Sequence, residues 1–257
     1  MGHERIGQLP KSQRWRDIVG GVASSYSDRT MVDSVATDTL RAVRQQFRSA
    51  QSDESVVEAF SFLVRAAVAT RSGQLSQIAN RPINSEVTPL SLAIALRQHL
   101  AGASGDPENA IIAKDAAIDA IGKWYSEDRE RSTGSLFDDE KKSANWEKLG
   151  TGAGFCELSR HFFASFAERY LNFFLDREVA SALPTIAARD VFRKELHGHV
   201  DDVSEHAFET AKITQSFAAA WFNKHASSGL PDKNTISSFV SYCMSKLRDE
   251  LNREEDR

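Results

Sequence analysis

Five residues of this 257-residue chain have the types and spacing to do chemistry together: Glu195, His199, Asp202, His206 and Glu209 follow one another at intervals of four, three, four and three. On a continuous helix that rhythm places all five on one stripe. Carboxylates and imidazoles ligate zinc and di-iron centres, and helical bundles build such sites from inward-facing Glu and His. A di-iron centre, however, takes a Glu-x-x-His pair from each of two helices. The nearest second spacing here, Glu157 to His161, is four residues. The stripe also flanks the apolar positions of its helix instead of lying among them. A solvated, self-paired helix edge is therefore the expectation, with metal binding by Glu195, His199, Asp202 and His206 as the alternative.

Three further segments suggest anion or nuclease chemistry. Gly150-Thr151-Gly152-Ala153-Gly154 opens into a helical pattern and could turn backbone N–H groups toward a phosphate. No strand pattern precedes it and no Gly-Lys-Ser/Thr follows, so the loop reads as a flexible hinge. Arg41, Arg44 and Arg48 form a cationic ridge opposite an apolar stripe, and guanidinium groups suit phosphate or carboxylate. Asp33 and Asp38 share that helix and no aromatic residues interleave, which favours a solvated face over an anion site. Asp138-Asp139-Glu140-Lys141-Lys142 contains an Asp-x-Lys spacing, but catalytic carboxylates need rigid elements and this run falls in a linker.

Arg193-Lys194-Glu195-Leu196-His197-Gly198-His199 places five residues between an Arg and a His. This resembles the short Arg-to-His signature of HEPN-type ribonucleases, which are all-α proteins. The resemblance implies that Arg193 would stabilise phosphate charge and that His199 would exchange protons with the ribose hydroxyl or the leaving group. Lys194 stands where that family has Asn, Asp or His, and the match covers seven residues. A HEPN-like ribonuclease, or a metal-assisted hydrolase centred on Arg193, His199 and His206, is the enzymatic alternative.

Helices must position all of these groups, because apolar residues recur with helical period and no segment alternates like a strand. Hydrophobic residues at 41% and charged residues at 26% are ordinary for a globular chain. Ser12 can start a helix through Trp15, Ile18, Val19 and Val22. Asp28 can start another through Val35, Ala36, Leu40, Val43 and Phe47, and Asp53 a third through Val56, Phe60, Leu63 and Ala67. Thr88-Pro89 and Asp106-Pro107 combine a capping side chain with proline at the first helical position. The helices they open, near 89–101 and 107–125, are predicted to bury Leu92, Leu96 and Leu100, and Ile111, Ile118, Ile121 and Trp124. Charged, Ser- and Gly-containing sequence then intervenes before an aromatic-rich helix carrying Phe155, Phe162, Phe163, Phe166, Tyr170, Phe173 and Phe174. Its aromatic arc is wide enough to need covering on more than one side. Pro184 stops that helix and Thr185 can cap the next, which continues to Phe222 as one helix or two with Gly198 as its weak point. A last amphipathic helix runs from Ile236 to Leu251. The expected architecture is all-α: a bundle over 1–125 and a second over 150–257, joined by a flexible charged linker at 126–149.

The net charge of -4 lends no support to sequence-independent nucleic-acid binding. Cys156 and Cys243 sit alone in apolar helical patterns and read as buried thiols. No apolar run approaches the ~18 residues of a membrane span, so a cytoplasmic location without membrane contact is expected. No cofactor is expected. With neither a nucleophile-base motif nor a nucleotide loop in context, the primary expectation is a non-catalytic interaction or accessory subunit that binds a protein partner or a second copy of itself. Its expected setting is a bacterial multiprotein system, with phage defence as one candidate.

Overall fold

Side-chain caps set the helix starts in the computed structural model, which describes residues 29–82, 86–132, 146–183, 185–208 and 216–253. The expected helix from Ser12, the acidic run at 138–142, Pro184 and Glu209 lie outside those residues. The helices are α1 (Arg29–Ala42), α2 (Arg44–Ala50), α3 (Glu54–Arg71), α4 (Leu75–Ile78), α5 (Pro89–His99), α6 (Pro107–Ser132), α7 (Gly152–Ala182), α8 (Ile186–Phe208), α9 (Phe217–His225) and α10 (Lys233–Arg253). Short 3-10 turns at Leu100–Gly102 and Trp146–Gly150 complete an all-α fold with no strand among the described residues. No helix among them is long and apolar enough to cross a membrane.

Asp53 accepts from the Ser55 backbone N–H at 2.9 Å, capping α3, and its other oxygen accepts from the Asp106 N–H at 3.0 Å. One carboxylate thereby ties the starts of α3 and α6 together. Gly105, at φ +147°, passes so close that a Cβ there would come within 2.6 Å of an Asp53 oxygen. Asp106 in turn caps α6 by accepting from the N–H groups of Glu108 and Asn109. Thr88 and Ser91 form a reciprocal capping box at α5, and Thr185 accepts from the Ala188 N–H at α8.

Several expectations need correction. The apolar pattern through Val35, Leu40 and Phe47 is two helices, because the backbone departs from helical geometry at Val43 (φ -100°, ψ 20°) while Val43 stays buried; Asp28, its expected cap, lies outside the described residues. In α6 the buried face is small: Ala113, Ala116, Ala117 and Ala120, with Ile121 and Trp124, whereas Ile111 is 57% exposed. Those alanines allow neighbouring helices to approach closely, and Ile111 falls on the opposite side. Helix α6 also runs to Ser132, into the segment expected as linker, and α8 passes through Gly198 without a break.

Buried apolar residues from both sides of 126–149 form one continuous core. Its axis is α7, 31 residues long, which packs on α6 most extensively and also touches α8, α9, α1, α3 and α10. Phe155, Phe162, Phe163 and Phe166 are all fully buried. Phe60 of α3 sits among Phe155, Phe162, Phe163 and Phe239, with centroids 5.1 to 6.0 Å away. Trp146 stacks on Trp124 at 5.5 Å and donates its ring N–H to the Val87 carbonyl at 2.8 Å. The chain thus enters α7 already anchored to α6, and the core does not divide where the charge pattern suggested.

The glycines at the entrance to α7 are points of close approach, not a hinge. A Cβ at Gly150 would collide with the Thr70 hydroxyl, one at Gly154 with the Lys148 carbonyl, and one at Gly152 would lie 2.8 Å from the Asn223 amide nitrogen. Arg71, at the end of α3, clamps this junction: it donates to the Gly150 carbonyl, to the Ala226 carbonyl at 3.1 Å and to the Asn223 side chain at 3.2 Å. Its guanidinium also lies 4.3 Å over the Phe222 ring.

Candidate functional site

The polar groups that the fold brings together lie along the seam of α6, α7 and α8. Each helix contributes a ladder of four residues spaced four apart: Asp119, Lys123, Glu127 and Arg131 from α6; Glu157, His161, Ser165 and Arg169 from α7; Arg193, His197, Asp201 and Glu205 from α8. Four-residue spacing drifts only slowly around a helix, so each ladder stays on one edge. On α7 it runs beside the aromatic face.

The ladders pair in antiparallel order. Arg131 donates two hydrogen bonds to Glu157, at 2.6 and 2.9 Å. His161 Nε2 lies 3.1 Å from Glu127, and both Ser165 and Arg169 donate to Asp119 at 2.8 Å. Across to α8, Lys123 donates to Asp201 at 2.9 Å, and Arg160 sits 3.5 Å from both Asp201 and Glu205. His197 pairs with Glu168 at 2.7 Å, and Arg193 with Asp176 at 2.8 Å. The hydrogen bond from His161 holds the Glu127 carboxyl below its ordinary range, against the opposing effect of burial. Burial pushes Asp201 up, but Lys123, Arg160 and His197 outweigh it and the net shift is downward.

At the centre, Asp119, Lys123, His161, Ser165, His197 and Asp201 help to line a cavity of about 130 Å³. The His161 side chain is almost wholly buried, and its Nδ1 has no hydrogen-bond partner among the described residues. A histidine–glutamate pair beside a serine invites comparison with nucleophilic catalysis. Yet the Ser165 hydroxyl donates to Asp119 and not to an imidazole, so the nucleophile-base contact such chemistry requires is not formed. Among the described residues no group of three or more His, Cys, Asp or Glu is placed to hold a metal ion.

The residues singled out by spacing are distributed differently. Arg193 is exposed and paired with Asp176, whereas His199 is buried on another side of α8, so the two do not share a surface. Glu195 is half-buried, and Asp202 and His206 are exposed. The stripe is continuous in helix but divided between core and solvent. Arg41 lies 4.0 Å from Asp38 on the same helix, while Arg44 and Arg48 belong to α2 beyond the break at Val43. The helix start at Gly152 is closed by its own cap, Thr151 accepting from the Gly154 N–H at 3.0 Å. Sequence reading missed the paired ladders, although the spacing of four was present in all three segments.

The outer rim of the seam opens into a groove of about 380 Å³ between α6, α7 and α8, with Ile111, Ile112 and Phe173 among its apolar lining. A second depression of about 330 Å³ lies between α5 and α6, and Ile111 borders both. Helix α5 also exposes Leu90 (70%) and Ile94 (50%), one helical turn apart. Compared with known protein families, with curated proteins and with solved structures, the chain matches none.

Proposed function

We propose that this chain is a non-catalytic helical interaction subunit whose docking surface is the α5–α6 face. The observation that carries this reading is the exposure of three large aliphatic side chains on two packed helices, Leu90 and Ile94 on α5 and Ile111 on α6, each at least half exposed, with Ile111 bordering two open depressions. Large aliphatic side chains left exposed on two packed helices, with open depressions and charged residues between helices nearby, suit a protein–protein contact. The seam supports the same reading by its commitment to structure: its charged groups pair across helices and so join α6, α7 and α8.

The test is loss of association without loss of fold. Ile94→Glu and Ile111→Glu each place a charge in the proposed contact while leaving the core untouched. They should weaken self-association or partner binding at least about tenfold, with an unchanged thermal unfolding midpoint. Association insensitive to both substitutions would refute the assignment.

A further inference from the structure

The cavity of about 130 Å³ at the seam of α6, α7 and α8 is lined by a polar group whose needs the protein does not meet. His161 is 2% exposed, and its Nδ1 has no hydrogen-bond partner among the described residues. Its other nitrogen, Nε2, lies 3.1 Å from Glu127, which is not among the cavity's walls, so the opposite edge of the ring is the one left to meet the cavity. The hydrogen bond from His161 holds the Glu127 carboxyl below its ordinary range, so at neutral pH that carboxylate is ionised and only accepts. Nε2 therefore carries the proton, and Nδ1 of the neutral ring is a buried acceptor. Folded proteins meet such groups with a protein donor or with an ordered molecule, because an acceptor removed from water without a replacement is costly.

The surrounding side chains do not supply that donor. The Ser165 hydroxyl donates to Asp119 at 2.8 Å, and His197 Nδ1 is paired with Glu168 at 2.7 Å. Lys123 donates to Asp201 at 2.9 Å and keeps two further N–H groups, none of them within hydrogen-bond reach of Nδ1. An occupant must therefore bring its own O–H or N–H. Its charge is restricted as well: Lys123 in the wall and Arg160, 3.5 Å from Asp201, disfavour a further cation, while Asp119, Glu168 and Asp201 disfavour an anion. Because these charges already pair within the chain, a neutral molecule leaves every pair intact. A hydroxyl meets both remaining needs, as donor to Nδ1 and acceptor from Lys123. Ala164 and Val200 complete the wall with hydrocarbon.

We infer that this cavity is a hydroxyl-binding site, in which the O–H of a small neutral molecule donates to His161 Nδ1 and its oxygen accepts from Lys123. The occupant joins α7 to α6 and, through the Lys123–Asp201 pair, to α8. Two sources share this chemistry, ordered water and a small polyol; the volume is close to the roughly 150 Å³ that admits a six-carbon ring, so a polyol of about six non-hydrogen atoms fits. The site uses none of Leu90, Ile94 and Ile111 and stands independently of the interaction reading.

Nitrogen NMR of the full chain, labelled at histidine and held at neutral pH, tests it. The expected His161 is the tautomer protonated at Nε2, with its Nδ1 resonance displaced to the hydrogen-bonded position. Titration with glycerol separates the two sources. A saturable displacement of the Nδ1 resonance identifies a polyol site, whereas magnetisation transfer from water to the ring that glycerol leaves unchanged identifies ordered water; either result supports the assignment. Ala164→Leu extends a side chain into the cavity and should abolish the hydrogen-bonded signal of Nδ1 while the proton stays on Nε2. A signal that survives this substitution would place its source outside the cavity and overturn the site. So would a ring protonated at Nδ1 in the unaltered protein, or an Nδ1 that shows neither a hydrogen-bonded resonance nor contact with water or glycerol.

Discussion

The aromatic face and the charged edge of α7 do opposite work on one helix. On the aromatic face, Phe155, Phe162, Phe163 and Phe166 are wholly buried and meet rings from α3, α8, α9 and α10. On the charged edge, Glu157, His161, Ser165 and Arg169 meet fixed partners at hydrogen-bond distance. Dispersion and apolar burial are non-directional and tolerate small shifts of a helix along its neighbour. A ladder of ion pairs does not, since a shift of one residue turns each rung away from its partner. The aromatic face supplies cohesion, and the charged edge specifies register and antiparallel order.

That contrast can be broken most sharply from the apolar side. Phe163→Ala removes a ring packed within 5.7 Å of Phe60, Phe162 and Phe208, and should cost about 3–5 kcal/mol in urea unfolding. A cost below about 1 kcal/mol would show that cohesion lies elsewhere. Gly154→Ala drives a methyl group into the Lys148 carbonyl at the entrance to α7. It should destabilise by about 1–3 kcal/mol in the same measurement, and a neutral or stabilising effect would restore the hinge reading.

On the charged edge the largest effect belongs to the buried rung. Glu127→Ala deprives His161 of its acceptor and should cost about 1–3 kcal/mol, with Glu127→Gln recovering part of the loss. The acid limb of stability follows from the same groups. Glu127 and Asp201 titrate below their ordinary values in the folded chain. Their contribution is therefore complete above the ordinary carboxylate range and disappears as pH falls through the lowered folded values. Thermal unfolding should shift downward on acidification, and the shift should be smaller in Glu127→Gln than in the unaltered protein. Equal shifts would remove this rung from the acid response. Arg169→Ala, at a solvated rung, should cost less than about 1 kcal/mol and lose even that in high salt.

Much of the helical framework was legible because caps and periodicity are local. Asp53, Thr88, Asp106 and Thr185 act where their types predict, and the last helix buries Ile236, Val240, Cys243, Met244, Leu247 and Leu251. Legibility failed where a local pattern has two physical outcomes. Glycine before a helix serves freedom or close packing, and only the proximity of Thr70 and Lys148 decides for packing. Ile111 fits the apolar rhythm of α6 as well as Ile121 does, but the alanine face determines which side meets the neighbouring helices. The stripe from Glu195 to His206 was likewise legible as a spacing, and its division between buried His199 and exposed Asp202 and His206 was not.

By itself the sequence determined an all-α chain, the capped starts of several of its helices and the broad aromatic face of its longest helix, because hydrogen bonding, capping and burial period are encoded within a few turns. Tertiary structure decided the rest: that buried residues on both sides of 126–149 share one core, that the charges of α6, α7 and α8 pair as ladders, and that Leu90, Ile94 and Ile111 stay on the surface. Those outcomes depend on which helix faces meet across dozens of residues, and no local pattern carries that information.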